Sequence, residues 1–216
     1  MKEINIIDFG LMGKQISALF YLLGYEIGVY NKSKLNIYEF EKQIKLLQRK
    51  IDFSNFNAGK INIYQHIEDL KNSLTIESLN EDLNLKKEIM QILRDNNIVF
   101  SNSSSLSMDD LNCDFIHFFN TIYIKLIELC GSNLERFTPL KDLKKLGFHI
   151  ICSKGNRGAL ANLLLFNEIS SFFKIIEKYD YNFKECQTVY DLLYEKRNLL
   201  NIIDTIGIEL CNKICK

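Results

Sequence analysis

Two places in the chain hold residue types suited to chemistry. The first is His117, set in the apolar run Phe115-Ile116-His117-Phe118-Phe119 and followed eleven residues later by Glu128. An imidazole titrates near neutral pH, so it can take a proton from a hydroxyl and return it. A carboxylate on the other ring nitrogen fixes the tautomer and stabilises the imidazolium. The second is the turn Asp8-Phe9-Gly10-Leu11-Met12-Gly13, which carries the second and third glycines of a GxGxxG dinucleotide fingerprint with Asp8 in the first position. There a pyrophosphate would rest on the amino end of the following helix. Alone, the two glycines equally fit a tight turn with close helix packing, and a lone histidine is more often a satisfied structural residue. His66 and His149 read as a surface and a packing residue. No Cys, Asp or His stands at ligand spacing from another, so no metal is expected.

The elements that must position these residues alternate. Glu3 to Asp8 is a short β-branched apolar run, Leu11 to Leu23 repeats apolar residues at helical spacing, and Glu26 to Tyr30 follows Gly24 directly. This βαβ unit implies a parallel sheet with a right-handed crossover. At the end of its second strand a dinucleotide fold places an acid to hold a ribose hydroxyl. Here that residue is Asn31, which can hydrogen-bond but lacks the charge that excludes a 2′-phosphate. Helices are expected over Lys34 to about Lys50, Tyr64 to Leu70 and Leu83 to Arg94, and strands over Leu74 to Leu79 and Ile98 to Asn102. Further strands are expected at Phe115 to Phe119, Leu126 to Cys130 and Phe148 to Cys152, with Pro139 opening a helix. His117 then lies at the carboxyl end of a strand, where open α/β sheets bind their ligands. After Cys152 the pattern is helical: Ala159 to Ile176, Phe183 to Tyr194 and Leu199 to Cys215. The expected fold is α/β, with a domain over residues 1–152 and a small all-α domain over 153–216. Leu160, Leu164, Phe166, Phe172 and Ile176 give the first of those helices too much apolar surface for a lone tail, which points to a homodimer.

With 216 residues, 47% hydrophobic and 25% charged, the chain has an ordinary globular composition. Lys plus Arg and Asp plus Glu are equal at 27 each, so nothing in the charge balance invites nucleic acid. No apolar run is long enough for a membrane span, and the first residues lack the apolar core of a secretory peptide. The six cysteines stand apart without a CxxC and read as reduced thiols, so the expected compartment is the cytoplasm.

The segment 74–88, LTIESLNEDLNLKKE, resembles the IEAVxEDLxLKKE stretch of the 3-hydroxyacyl-CoA dehydrogenases. SNSSSLS at 101–107 is similar to that family's SNTSSLS, HFFN at 117–120 to its HFFNP, and KLIE at 125–128 to its KLVE. GALAN at 158–162 and LLNIIDTIGI at 199–208 resemble its GFxxN and PFELLDxxGLD, so the resemblance runs from about Ile4 to Glu209. It implies a Rossmann-like NAD(P)-binding domain, a helical domain that dimerises, and oxidation of a 3-hydroxyacyl thioester. In that frame His117 is the acid/base and Glu128 its partner, while Ser104, Asn162 and Asn120 match polar residues around the substrate oxygen. Gly10, Leu11, Met12, Gly13 and Asn31 line the cofactor, and Glu81 and Lys86 match residues on its side. Ser103, Ser104 and Ser105 also fit a helix cap.

Several departures bear on the site. Asp8 puts a carboxylate where the family has glycine, Gln15 replaces a small residue, Asn31 removes the ribose-reading acid and Thr121 stands where HFFN is followed by Pro. The region between Asn31 and Leu74 is trimmed where the family carries a helical hairpin contacting coenzyme A, that between Ser107 and Phe115 is trimmed as well, and GNRG at 155–158 replaces DTPG. The leading expectation is an NAD-dependent dehydrogenase acting on a short 3-hydroxyacyl-CoA, with NADP left open. The alternative is a diverged dinucleotide- or acyl-binding homologue with little turnover.

Overall fold

The computed structural model describes residues 2–32, 36–95, 97–119, 121–122, 124–153, 159–194, 199–208 and 211. The chain divides into two compact units, Met1–Ala159 and Leu160–Lys216. The first unit runs β1 (Glu3–Ile7), α1 (Leu11–Leu22), β2 (Glu26–Tyr30), α2 (Ile37–Lys50), β3 (Lys60–Tyr64), β4 (Leu74–Glu77), α3 (Leu83–Leu93), β5 (Ile98–Ser101), α4 (Met108–Leu111), β6 (Asp114–Phe118), β7 (Leu126–Cys130), α5 (Leu140–Lys145) and β8 (His149–Ser153). These strands form one sheet in the order β3-β2-β1-β4-β5-β6-β7-β8. Every neighbouring pair is parallel except β6 and β7, which run antiparallel.

The central strands are apolar because helices cover both faces of the sheet. On one face Ile4 and Ile6 pack with Ile16, Leu19 and Phe20 of α1 and with Phe100 and Phe118; on the other Ile7 packs with Ile89 and Leu93 of α3. Each such side chain contributes roughly 1.5–3 kcal/mol by leaving water. The Phe20 ring meets Tyr25, Phe118 and Phe137 edge-on at centroid distances of 5.2, 6.1 and 6.5 Å, which ties α1 to β6, the strand that bears His117.

The structure corrects several sequence expectations. Tyr64 to Leu70 is not a helix: Lys60–Tyr64 forms the edge strand β3, and only a single 3-10 turn, Ile67–Asp69, follows. Pairing with β2 decides the matter, since Ile61 and Ile63 alternate with polar neighbours at strand period. The serine run at 103–105 caps no helix. The short helix α4 starts instead from a capping box between Ser107 and Asp110. Within the trimmed stretch α2 is a single helix, and Ile51 to Gly59 leads irregularly into β3.

The second unit contains α6 (Leu160–Tyr179), α7 (Phe183–Leu193) and α8 (Leu199–Ile206). α8 ends at Gly207, whose φ of +96° suits a residue without a Cβ. Most of the expected continuation to Cys215 lies outside the described residues. Phe166, Ile169, Phe172, Tyr190, Leu199 and Ile203 pack into one cluster, so Phe166 and Phe172 are buried within this chain. Leu160 and Leu164 are 45% and 66% exposed, and Leu192 and Leu193 of α7 are 76% and 71% exposed. No helix among the described residues is long and apolar enough to cross a membrane.

Candidate active site

The strand order reverses between β1 and β4, and the glycine turn stands at the carboxyl end of β1 beside this switch. Open α/β sheets bind ligands at such a point. Asp8 leaves the strand at φ +75°, and its N–H donates to the Tyr30 carbonyl at 2.9 Å. The Phe9 N–H donates to Asn31 Oδ1 at 3.1 Å, so the side chain at the end of β2 braces the turn. A Cβ on Gly13 would lie 2.2 Å from the Asp8 carbonyl oxygen, so only glycine lets α1 approach this closely. Gly10, at the helix N-cap, makes no side-chain cap, and no acid stands in the first turn. The N–H groups of Leu11, Met12 and Gly13 therefore open a helix whose positive dipole end suits an anion. Gly10 and Leu11 are exposed and Met12 is half-buried. This cradle fits a dinucleotide pyrophosphate, with one contact already taken: Gly10 N–H donates to Asp8 Oδ2 at 3.1 Å.

Beyond the switch point, the ends of β4 and β5 are joined by a buried polar network. Glu77 is fully buried at the end of β4; its Oε1 accepts from Lys86 Nζ at 2.7 Å and from Leu79 N–H at 2.5 Å, and its Oε2 from the Ser101 hydroxyl at 2.6 Å. Lys86, 1% exposed, also donates to the Leu79 carbonyl at 2.9 Å. Its ammonium is thus committed to Glu77 and to the loop after β4. Glu81, from the same loop, accepts from Ser103 Oγ at 2.7 Å and from the N–H and hydroxyl of Ser104 at 2.7 and 3.1 Å. Burial alone would raise the Glu81 pKa. The bonds from Ser103 and Ser104 and the charge of Lys86 outweigh that and hold it below the ordinary carboxylate value. Both acids act through other residues: Glu77 fixes Lys86, and Glu81 fixes the half-buried Ser104.

His117 lies one residue from the carboxyl end of β6, and its cross-strand partner in the antiparallel ladder is Glu128 of β7. Directly opposed residues of such a pair point to the same face with Cβ atoms about 4.5–5.5 Å apart. Both are buried, at 8% and 2% exposure. Desolvation drives the imidazole pKa from 6.5 to about 4, against the pull of the Glu128 and Glu81 charges, so the ring is neutral at neutral pH. Nδ1 of His117 is buried with no hydrogen-bond partner among the described residues, so the bond expected between this ring nitrogen and the Glu128 carboxylate is not formed: the ladder sets the two residues opposite one another without joining them. An orphaned acceptor or donor of this kind costs about 1–3 kcal/mol. The ring packs perpendicular to that of Phe119 with centroids 4.3 Å apart, and the strand is held by Asn102 Oδ1, which accepts from Phe118 N–H at 2.9 Å.

Two of the departures meet each other. Buried Thr121, just after the strand, donates from Oγ1 to Oε1 of buried Gln15 on α1 at 3.4 Å. Of the remaining expected site residues, Asn120 lies outside the described residues, and Asn162 is half-buried on α6 in the second unit. Sequence reading missed Glu77, Ser101, Ser103 and Asn102. One signal for the first was available: Lys86 shares a helix face with Met90 and Leu93, where a lysine is tolerated only if an acid meets it.

Residues 3–140 match the family model for the NAD binding domain of 3-hydroxyacyl-CoA dehydrogenase. A 3-hydroxybutyryl-CoA dehydrogenase of Clostridioides difficile is 27% identical over 157 residues, covering 61% of this chain and 55% of that protein. The chain thus matches little more than half the length of that curated relative. Among solved structures, the (S)-3-hydroxybutyryl-CoA dehydrogenase of Ralstonia eutropha superimposes with a TM-score of 0.81 at 20% identity, over 99% of this chain and 85% of that one. FadB2 of M. tuberculosis gives 0.81 at 19%, over 98% and 84%. At such identities the likeness speaks for the fold: an eight-stranded Rossmann-like sheet followed by helices. The matched family model, over well more than half of the chain, places the protein in the 3-hydroxyacyl-CoA dehydrogenase family, with residues 3–140 as its NAD binding domain.

Proposed function

We propose that the protein transfers hydride between NAD(H) and a short-chain 3-hydroxyacyl- or 3-ketoacyl-CoA, with His117 as acid/base. The observation that carries this reading is the direct cross-strand pairing of a neutral, buried His117 with Glu128 at the carboxyl end of the sheet. The chemistry NAD supplies when bound is acceptance or donation of hydride at the nicotinamide ring. The chain's own part is proton transfer and orientation. His117 takes the proton of the substrate hydroxyl, and the charge of Glu128 across the strand pair, acting without a hydrogen bond to Nδ1, favours the imidazolium that results. Ser104, whose hydroxyl donates to Glu81 at 3.1 Å, is a candidate contact for the substrate hydroxyl, with Asn120 and Asn162 as further candidates. Gly10, Leu11, Met12 and Gly13 hold the pyrophosphate and Asn31 braces their turn, while Lys86 acts by positioning the loop that carries Glu81. The reading extends to a cytoplasmic enzyme of fatty acid metabolism, with residues 153–216 as the substrate and dimerisation part and a homodimer built on the exposed leucines of α6 and α7.

Acetoacetyl-CoA reduction by NADH tests it. His117→Ala is expected to lose about 10²–10⁴ in turnover with NADH affinity nearly unchanged, because the base acts in the transition state. Glu128→Gln should cost less, since it removes only the charge that favours the imidazolium and leaves the base itself in place. The competing reading, a binding protein with little turnover, draws on the Asp8 carboxylate lying on the Gly10 N–H. Wild-type turnover no faster than that of His117→Ala would establish it.

A further inference from the structure

The glycine turn holds its own anion. Asp8 Oδ2 lies 3.1 Å from the Gly10 nitrogen, and a Cβ placed on Gly10 would meet that same oxygen at 2.9 Å. The carboxylate therefore sits at the open side of the turn, over the first N–H that leads into α1. Residues with a short polar side chain tolerate the left-handed backbone found here, so φ +75° is compatible with Asp and does not force the side chain into this place. The contact is the usual one of an Asp side chain with its own backbone two residues on. It matters here because of where it falls, at the phosphate end of an NAD binding domain.

We propose that Asp8 is an affinity-determining residue of the cofactor site, a resident carboxylate that competes with the dinucleotide pyrophosphate for the Gly10 N–H and repels it. This rests on the reading of the turn as the NAD site and adds to it. The pyrophosphate and the carboxylate are both anions, and the turn has one N–H at this point. Binding therefore requires the Asp8 side chain to release Gly10, and the displaced charge stays within a few ångströms of the incoming ligand. Charge and donor occupancy act in the same direction, towards weak binding. Part of this cost is electrostatic and screened by salt, because Gly10 is exposed.

NADH titration of the full chain, followed by fluorescence, tests this with wild type, Asp8→Asn and Asp8→Gly. Both replacements accept positive φ, so the turn keeps its backbone. Each variant is expected to bind NADH about tenfold more tightly, the equivalent of about 1.4 kcal/mol. The gap between wild type and Asp8→Asn should narrow as salt rises from 0.05 to 1 M, where the screening length falls to about 3 Å. Equal affinities, or a wild type that binds more tightly, overturn the proposal while leaving the cofactor reading intact. Absence of NADH binding at millimolar concentration by all three folded proteins overturns both together.

Discussion

Replacement of Lys86 by Met separates a positioning role for this residue from contact with cofactor. The ammonium lies 2.7 Å from Glu77 Oε1, and the two side chains are 1% and 0% exposed. Met retains most of the packed methylenes, so the change isolates the charge. Removing one partner of a buried pair costs about 3–5 kcal/mol, because the other charge stays buried without its counterion. Glu77 would keep two donors, Leu79 N–H and the Ser101 hydroxyl, which places the expected loss at the lower end, about 3 kcal/mol. For a chain of this size that corresponds to a fall of roughly 6–12 °C in melting temperature. Urea unfolding followed by far-UV circular dichroism measures it, with NADH titration of the folded protein alongside. The double variant Glu77→Gln with Lys86→Met should recover most of the loss, since no charge is then stranded, and the double-mutant cycle should give a coupling well above about 0.5 kcal/mol. A loss under about 1 kcal/mol with no coupling would refute the reasoning. Stability unchanged with NADH affinity reduced would return Lys86 to the cofactor.

The His117 imidazole, lowered to about 4 in the folded protein by burial, binds its proton later than the unfolded chain does as pH falls. Stability should drop between pH 6.5 and about 4, by roughly 3 kcal/mol from this group alone, and His117→Gln should flatten that part of the profile; identical profiles would rule the shift out. The exposed leucines of α6 and α7 are expected to form a homodimer burying well over about 1,200 Å² in total, so sedimentation at micromolar concentration should give twice the chain mass. A monomer there contradicts the dimer.

Much of the first unit was readable from the sequence because its strands are buried on both faces and appear as uninterrupted apolar runs between helices. Strand β3 was not, since Lys60–Tyr64 lies at the sheet edge, half exposed, and only its partner β2 identifies it. Within the site, the register that opposes His117 and Glu128 could be expected from two short strands joined by a return loop. The roles of Glu81 and Lys86 could not. Their motif marks them as important, but their direction is set by Ser103, Ser104 and Glu77, which approach through the fold from other segments. The Gln15–Thr121 contact was equally hidden: each residue looked like an isolated substitution, and 106 positions of chain separate them.

The reversal of direction between β6 and β7 has a bearing on how such a site can change. His117 and Glu128 are brought opposite one another by four consecutive ladder pairs, Phe115–Cys130 through Phe118–Ile127, and the loop beyond Phe118 has no part in setting their separation. Slipping the ladder by one residue would send Glu128 to the opposite face, so the register is under strong selection by the core. The connecting loop is held by other contacts, among them that of buried Thr121 with Gln15 of α1. A change in that loop, such as Thr paired with Gln15 where a proline is expected, leaves the four ladder pairs as they are, so the part of the sheet that opposes His117 and Glu128 and the part that borders them can be altered separately, in descent or in the laboratory.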